Sequence, residues 1–464
     1  MAAIRQCAAL PSSGIRSALE AGLKHARAIL SAKTERERAQ RDALAAFAIR
    51  IASAALLYLS QVALARWMGA DEYGVYVVAW TTVLVLGGLS SVGLNQAVIR
   101  LVPVYREGGR IGLLRGLVSG SRRVAFFIGS LVAGAGLAGV WLLGSFIDNV
   151  YIVPAYLALV CLPMYALTDV QDGIGRGRGW MGVGLVPPYV LRPLLVLAAM
   201  AAAHAVALPM TAATAVASAI VATWVSGLLQ LWAMGRALSL ELREAAPATD
   251  WRSWFSISLP LMAITGAEIA LQCADVLVLS RWMSSADVAV YYAAAKTMSL
   301  ILYVHYAVGS AAANRVAGLA ARGGRTALAE AVAESVHWTF WPSLAAGIAI
   351  AALGIPLLSL FGTEFTAGYP VMLVLVLGFL ARAAVGPSDM LLRMLGEHNL
   401  SAAVSVGTAV LNVTLLLLLV PHFGLIGAAI ATALALALEA FCNWTVARRR
   451  LGLDIGIWQT VARD

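Results

Sequence analysis

The sequence predicts an all-α integral membrane protein: twelve transmembrane helices, arranged as two six-helix lobes in a parallel pseudo-twofold repeat around a central cavity. Three observations carry this expectation: apolar blocks near the length of a bilayer span, a one-sided distribution of Lys and Arg, and an internal repeat. Composition supports the first, since 61% of the 464 residues are hydrophobic, 12% are charged and mean hydropathy is +0.83. Soluble globular chains lie well away from those values.

The apolar blocks fall at 44–66, 74–102, 124–144, 152–172, 185–206 and 210–235, then at 254–282, 288–312, 336–361, 368–392, 400–420 and 424–447. About twenty residues rising about 1.5 Å each cross a hydrocarbon core of roughly 30 Å. Most connectors are short and punctuated by Gly, Pro, Ser or charge, so consecutive spans should form antiparallel hairpins. None is long enough for a catalytic domain. The predicted organisation is a basic cytoplasmic arm (1–43), an N-terminal six-helix lobe (44–235), a cytoplasmic inter-lobe loop (236–253), a C-terminal six-helix lobe (254–447) and a cytoplasmic tail (448–464).

Lys and Arg are retained on the cytoplasmic side during insertion. With both termini placed inside, 26 of the 33 fall in inner segments and only Arg66 and Arg281 in outer loops. The other five, Arg50, Arg100, Arg192, Lys296 and Arg382, lie within spans. Topology thus accounts for the net charge of +9, and no nucleic-acid partner is expected. The first 43 residues lack the apolar run of a signal peptide. A stretch within them has helical periodicity with a basic face, which suits either an interfacial helix or a solvated extension. Cys7, Cys161, Cys273 and Cys442 show no paired spacing, so neither a disulfide nor a metal site is assigned.

The segment RWMGADEYGVYVVAWTT from Arg66 recurs as RWMSSADVAVYYAAAKT from Arg281, 215 residues on and without a gap. The same offset carries Arg100 onto Arg315 and Gly108, Gly109, Arg110 onto Gly323, Gly324, Arg325. Slippage enters later, where GRGW at Gly177 best matches GEHN at Gly396. Each half holds six spans and begins with the same orientation, so the repeat is parallel, with its axis along the membrane normal. Two like-oriented lobes suggest a cavity that opens alternately to either side, which makes transport the leading function class. A duplication that serves only to stabilise the bundle is the alternative.

ALARWMGADEYGVYVVAW followed by SSVGLNQAVIRLVPVY resembles the opening of the polysaccharide flippases, the O-antigen and exopolysaccharide branch of the MATE-like multidrug/oligosaccharidyl-lipid/polysaccharide exporter superfamily. The family's turn between the first two spans corresponds to Arg66, Gly69, Glu72, Tyr73 and Gly74, and its small-Gly-polar stretch to Gly93, Asn95 and Gln96. LFGTEFTAGYPVMLVL from Leu360 and VPHFGLIGAAIATALA from Val420 are similar to its closing pattern. The likeness runs from Leu44 to Leu453; the long amino-terminal arm departs from it. It implies a MATE-like fold in a bacterial inner membrane and a flippase that moves undecaprenyl-pyrophosphate-linked oligosaccharide from the cytoplasmic to the periplasmic leaflet during surface polysaccharide or lipopolysaccharide biosynthesis. A polysaccharide polymerase and glycosyltransferases are the implied protein partners, alongside membrane lipids. No catalytic group and no cofactor is expected, with proton or sodium coupling left open.

A charge at mid-bilayer costs at least ~3 kcal/mol unless it faces protein or water. Arg50, Arg192 and Arg382 lie about six to ten residues, or roughly 9–15 Å, from the inner ends of their spans. They are the candidates for an anionic headgroup, because planar guanidinium donors grip phosphate bidentately. Snorkelling to the headgroups is the alternative, open chiefly to Arg50 and Arg192. Arg192 precedes Pro193 and follows Pro187 and Pro188, so its span should be bent. Among ion-pair or coupling candidates, Asp275 should pair with Lys296, Glu268 could meet Arg50, and Glu439 could meet Arg382. Asp169 and Asp172 share a helix face, and Arg176 is placed for an i,i+4 salt bridge to Asp172.

No GxxxxGK[ST] loop occurs, so ATP hydrolysis is not expected. The histidines lack metal-ligand spacing and read as polar loop, interface or packing residues. Two other functions compete with the flippase. A cation-exchanging multidrug exporter would favour acidic or aromatic cavity contacts, whereas a membrane enzyme acting on lipid-linked glycans would need a substantial outer loop.

Overall fold

The computed structural model describes residues 35–242, 246–302, 325–453 and 455–458, with six isolated positions between 303 and 324; side chains are described from Ser53 onward. Residues 1–34 of the predicted arm (1–43) and 459–464 of the predicted tail (448–464) lie outside these residues, as do Arg315, Gly323 and Gly324 of the repeat. The described residues are overwhelmingly helical, with no strand among them. From Ala52 onward they form one compact unit.

Eight helices are long and apolar enough to cross a bilayer, and the first and last of these each contain a reversal. Helix Glu35–Ser90 is interrupted at Gly69, where φ is 76° and ψ 172°. The Tyr73 hydroxyl donates to Gln61 Oε1 at 2.9 Å. Twelve residues of straight helix would separate them by about 18 Å, so the chain doubles back at Gly69. Gly424, at φ 55°, reverses His398–Val446 in the same way and brings Gly427 against the Leu419 carbonyl. Only glycine adopts such backbone without strain. With the eighth span opening at Ser285–Met298 and the ninth at Arg325–Ala352, the count is twelve.

Several predicted boundaries shift. The second span is two helices, ending at Ser90 and resuming as Leu94–Glu107, rather than one block at 74–102. The third begins at Ile111, thirteen residues before its apolar block, because amphipathic turns extend it past the bilayer. The sixth runs on to Leu242 and the seventh starts at Trp251, which shortens the linker predicted at 236–253.

Packing repeats across the halves. The third span packs against the fourth as the ninth does against the tenth, and the fourth lies along the sixth as the tenth lies along the twelfth. Small residues allow these approaches. Gly129 meets Pro163 and Leu162, Gly227 meets Met164 and Thr168, and Gly378 meets Ala433.

The halves meet at both ends of the bundle. At the end formed by the odd-to-even turns, Arg66 donates to the carbonyls of Leu360 (2.7 Å) and Ser359 (3.0 Å). There the Ala70 N–H donates to Glu364 (3.1 Å), and Ser285 Oγ donates to Asp71 (3.1 Å). Gly74 touches the Ser285 backbone so closely that a Cβ would sit 1.8 Å from its carbonyl oxygen. Aromatic rings of Tyr58, Tyr73, Tyr292, Phe361 and Phe365 interlock beneath this seam. At the other, Arg-rich end, Trp254 donates to the Tyr105 hydroxyl at 3.1 Å.

Beyond the twelfth span, Gly452 caps the helix at φ 64° and the chain folds back. Ile455 is buried, Trp458 meets Trp444 edge-on, and the Ile457 N–H donates to the Ala384 carbonyl at 2.9 Å.

Candidate functional site

Helix irregularities fix where polar groups are held inside the apolar region. The second span breaks at Ser91–Gly93, with Val92 and Gly93 at φ 50° and 69°. Gly93 is pressed against the seventh span, where a Cβ would fall 2.1 Å from the Ser258 carbonyl oxygen. The bend expected in the fifth span falls on its adjacent prolines, as a π-helical turn at Pro187–Leu191. The tenth span ends at Ala383 and resumes at Ser388, with Gly386 at φ 62° between.

In the first half, Tyr165, Asp169, Asp172 and Arg176 succeed one another along one face of the fourth span. The Arg192 guanidinium lies 5.2 Å from the Trp80 ring centroid and 5.3 Å from that of Tyr165, a cation–π arrangement on two rings. Those rings meet edge-on at 6.3 Å. Tyr165 also rests on Gly87, whose missing Cβ would stand 2.5 Å from the ring. Asp169 lies beside Ser91 and Asn95 at the break, and its Oδ2 is buried without a hydrogen-bond partner among the described residues. Asp172 pairs with Arg176 at 3.0 Å, as the spacing predicts. Tyr189, from the π-helical turn, stands among Asp172, Asp169, Tyr165 and Arg176 yet is 46% exposed.

In the second half, Arg382 is shared by Glu439 (3.6 Å) and Asp389 (3.9 Å), and Asp389 lies 3.6 Å from His305. The structure therefore joins Arg382 to Glu439, and it sets His305, expected as a polar loop, interface or packing residue, beside Asp389. Two other expected partnerships are corrected. Lys296 and Asp275 make no ion pair: Lys296 sits 4.9 Å above the Tyr292 ring, while Asp275 accepts from the Val276 N–H at 2.8 Å beside the Tyr291 hydroxyl. Each is taken up by its own neighbours, the ammonium by the Tyr292 ring and the carboxylate by the backbone and Tyr291. Glu268 bonds Arg393 at 3.2 Å, a partner supplied by the tenth span, whereas the Arg50 side chain lies outside the described residues.

The register of the repeat is corrected as well. The fourth and tenth spans are closed by positive-φ glycines, Gly179 (φ 74°) and Gly396 (φ 92°), 217 residues apart. Aligned on these caps, Asp172-x3-Arg176-x2-Gly179 falls on Asp389-x3-Arg393-x2-Gly396, so Gly177 is not the partner of Gly396. Sequence reasoning missed this shared motif because the residues between are dissimilar. It also missed Trp80, Tyr189 and the pairing of Asp389, whose partners are distant in sequence.

Chemically, the first half offers one cation held on ring faces, two carboxylates and exposed phenol. The second offers a chain in which Asp389, Glu439 and Glu268 each already have an Arg within 4 Å.

A family model described as polysaccharide biosynthesis protein matches residues 40–313, and one described as MatE matches 260–418. No curated protein matches in sequence. Among solved structures, an inward-facing multidrug resistance MATE family transporter is similar at 15% identity, with a TM-score of 0.74 over 86% of this chain and 94% of that one. Lipid II flippase MurJ in an inward closed conformation is similar at 11% identity, with a TM-score of 0.69 over 87% of each chain. An outward-facing MATE transporter, at 15% identity over 88% and 94%, scores 0.60. These likenesses show the fold, a MATE-like multi-pass membrane bundle, and the polysaccharide biosynthesis model spans more than half the sequence. The chain belongs to the polysaccharide biosynthesis protein family and has a MATE-like fold.

Proposed function

We propose that the protein flips an oligosaccharide linked to undecaprenyl pyrophosphate from the cytoplasmic to the periplasmic leaflet of a bacterial inner membrane, by alternating access, for surface polysaccharide synthesis. The observation that carries the reading is the family match joined to the state of Arg192. Of the three Arg residues expected to meet an anion, Arg382 is already held by two carboxylates, whereas Arg192 rests on aromatic faces with no carboxylate within 4 Å among the described residues. A guanidinium so placed keeps donors for a diphosphate. Both termini and the Arg-rich end then face the cytoplasm. With the opposite end seamed by Arg66, Glu364, Asp71 and Ser285, substrate would be loaded from the cytoplasmic side.

The test is reconstitution into liposomes with a defined lipid-linked oligosaccharide, following its accessibility in the outer leaflet with and without a pH gradient. Arg192→Ala should slow flipping about tenfold, the loss of a charge-assisted contact worth about 1.5 kcal/mol. No flipping by correctly inserted protein overturns the reading.

A further inference from the structure

We propose that Tyr165, Tyr189 and Asp169 form a saccharide subsite directly beside Arg192, binding the sugar attached to the diphosphate. The proposal rests on the flippase reading and assigns a separate recognition task to residues that surround its Arg192.

The argument begins with charge. Around the fourth span, Arg176 and Arg192 are matched by Asp169 and Asp172, so the cluster as a whole is formally neutral. A site built only for a diphosphate would hold an excess of cations. Here the one cation without a carboxylate, Arg192, stands at one end of the cluster, and the rest is aromatic and acidic.

Geometry supplies the second step. From Tyr165 to Arg176 the fourth span rises about 16 Å, with Tyr165, Asp169, Asp172 and Arg176 on one face. Tyr189 stands opposite that face and Arg192 lies one turn further along the fifth span. An aromatic ring thus stands at the Arg192 end of the column, and a phenol faces its carboxylates. A pyranose has an apolar C–H face that stacks on an aromatic ring and hydroxyls that donate to carboxylates, the two kinds of contact presented here.

Accessibility completes the case. Tyr165, Asp169 and Arg192 are only partly buried and Tyr189 is 46% exposed, although its charged neighbours belong to the interior cluster. The Oδ2 of Asp169 is buried beside Ser91 and Asn95 at the helix break, so the oxygen left to accept from a sugar hydroxyl is Oδ1. Gly87 gives Tyr165 its place, since any Cβ would strike the ring.

The test measures binding by purified protein in lipid nanodiscs. The probes are bare undecaprenyl pyrophosphate and the same lipid carrying N-acetylglucosamine, glucose or galactose. Wild type should bind at least one sugar-bearing probe about tenfold more tightly than the bare lipid. Tyr189→Ala and Asp169→Asn should reduce that preference severalfold while leaving the bare lipid unchanged. Tyr165→Ala and Gly87→Ala, which remove or displace a ring that also seats Arg192, should weaken sugar-bearing probes severalfold more than the bare lipid; Tyr165→Phe should keep the preference. Arg192→Ala should weaken all probes together. Equal weakening of bare and sugar-bearing lipid by the Tyr and Asp variants, or a wild type indifferent to every sugar, overturns the subsite alone. Failure of wild type to bind any probe overturns the flippase reading and the subsite with it.

Discussion

The fourth and tenth spans carry the same Asp-x3-Arg-x2-Gly motif at equivalent positions, and they use it differently. In the first half Asp172 and Arg176 close on each other at 3.0 Å. In the second half Arg393 turns outward to Glu268, and Asp389 turns inward to Arg382 and His305. The local cause is the helix break at Ala384–Pro387, absent from the fourth span, which changes how Asp389 enters its helix. Glu439 then completes a chain that the first half does not have. A duplicated scaffold has thus kept its geometry while its two ion pairs have diverged: one is local and self-contained, the other is distributed over four spans.

The largest expected effect lies in the distributed chain. Arg382→Leu leaves the nearly buried Glu439 without its cation and should cost about 3–5 kcal/mol, seen as a lower Tm in detergent. Adding Glu439→Leu should recover much of the loss, because removing both partners avoids the uncompensated charge. A double variant no more stable than the single would mean that the chain does not act as a unit. Next comes the seam between the halves. Gly74→Ala forces a Cβ into the Ser285 backbone and should cost about 1–3 kcal/mol. In a background lacking other reactive cysteines, disulfide formation between cysteines at Asp71 and Ser285 should fall severalfold. The smallest effect is the sharpest contrast. Arg176→Leu deprives an Asp172 side chain only 4% exposed and should destabilise, whereas Arg393→Leu breaks a pair with both side chains about two-fifths exposed, worth less than about 1 kcal/mol. Equal effects of the two variants would erase the distinction between the halves.

Hydropathy placed all twelve spans because bilayer thickness dictates block length, and that signal needs no tertiary information. Gly69 and Gly424 could be read as turns between blocks for the same reason. The break at Ser91–Gly93 was harder to see, since SSVG is apolar enough to continue a span and only its packing on Ser258 shows why the helix yields. The offset of 215 from Arg66 rested on seven identities, but between Arg325 and Asp389 two extra residues enter the second half, and only the glycine caps reveal the new register. Pairings fared according to range. Asp172 with Arg176 follows from helical periodicity, whereas Asp275 and Lys296 needed a rotational setting that depth alone does not supply. Arg192 was visible as a charge; the rings of Trp80 and Tyr165 that hold it come from two other spans and carry no local signature.

The hydrogen bond from Ile457 to the Ala384 carbonyl bears on the order in which the molecule is made. A carbonyl freed by a helix break inside the bundle needs a donor, and here the donor is encoded after the twelfth span. The tenth span therefore enters the membrane unfinished, and it is completed only when the ribosome has added two more spans and the segment that folds back behind them.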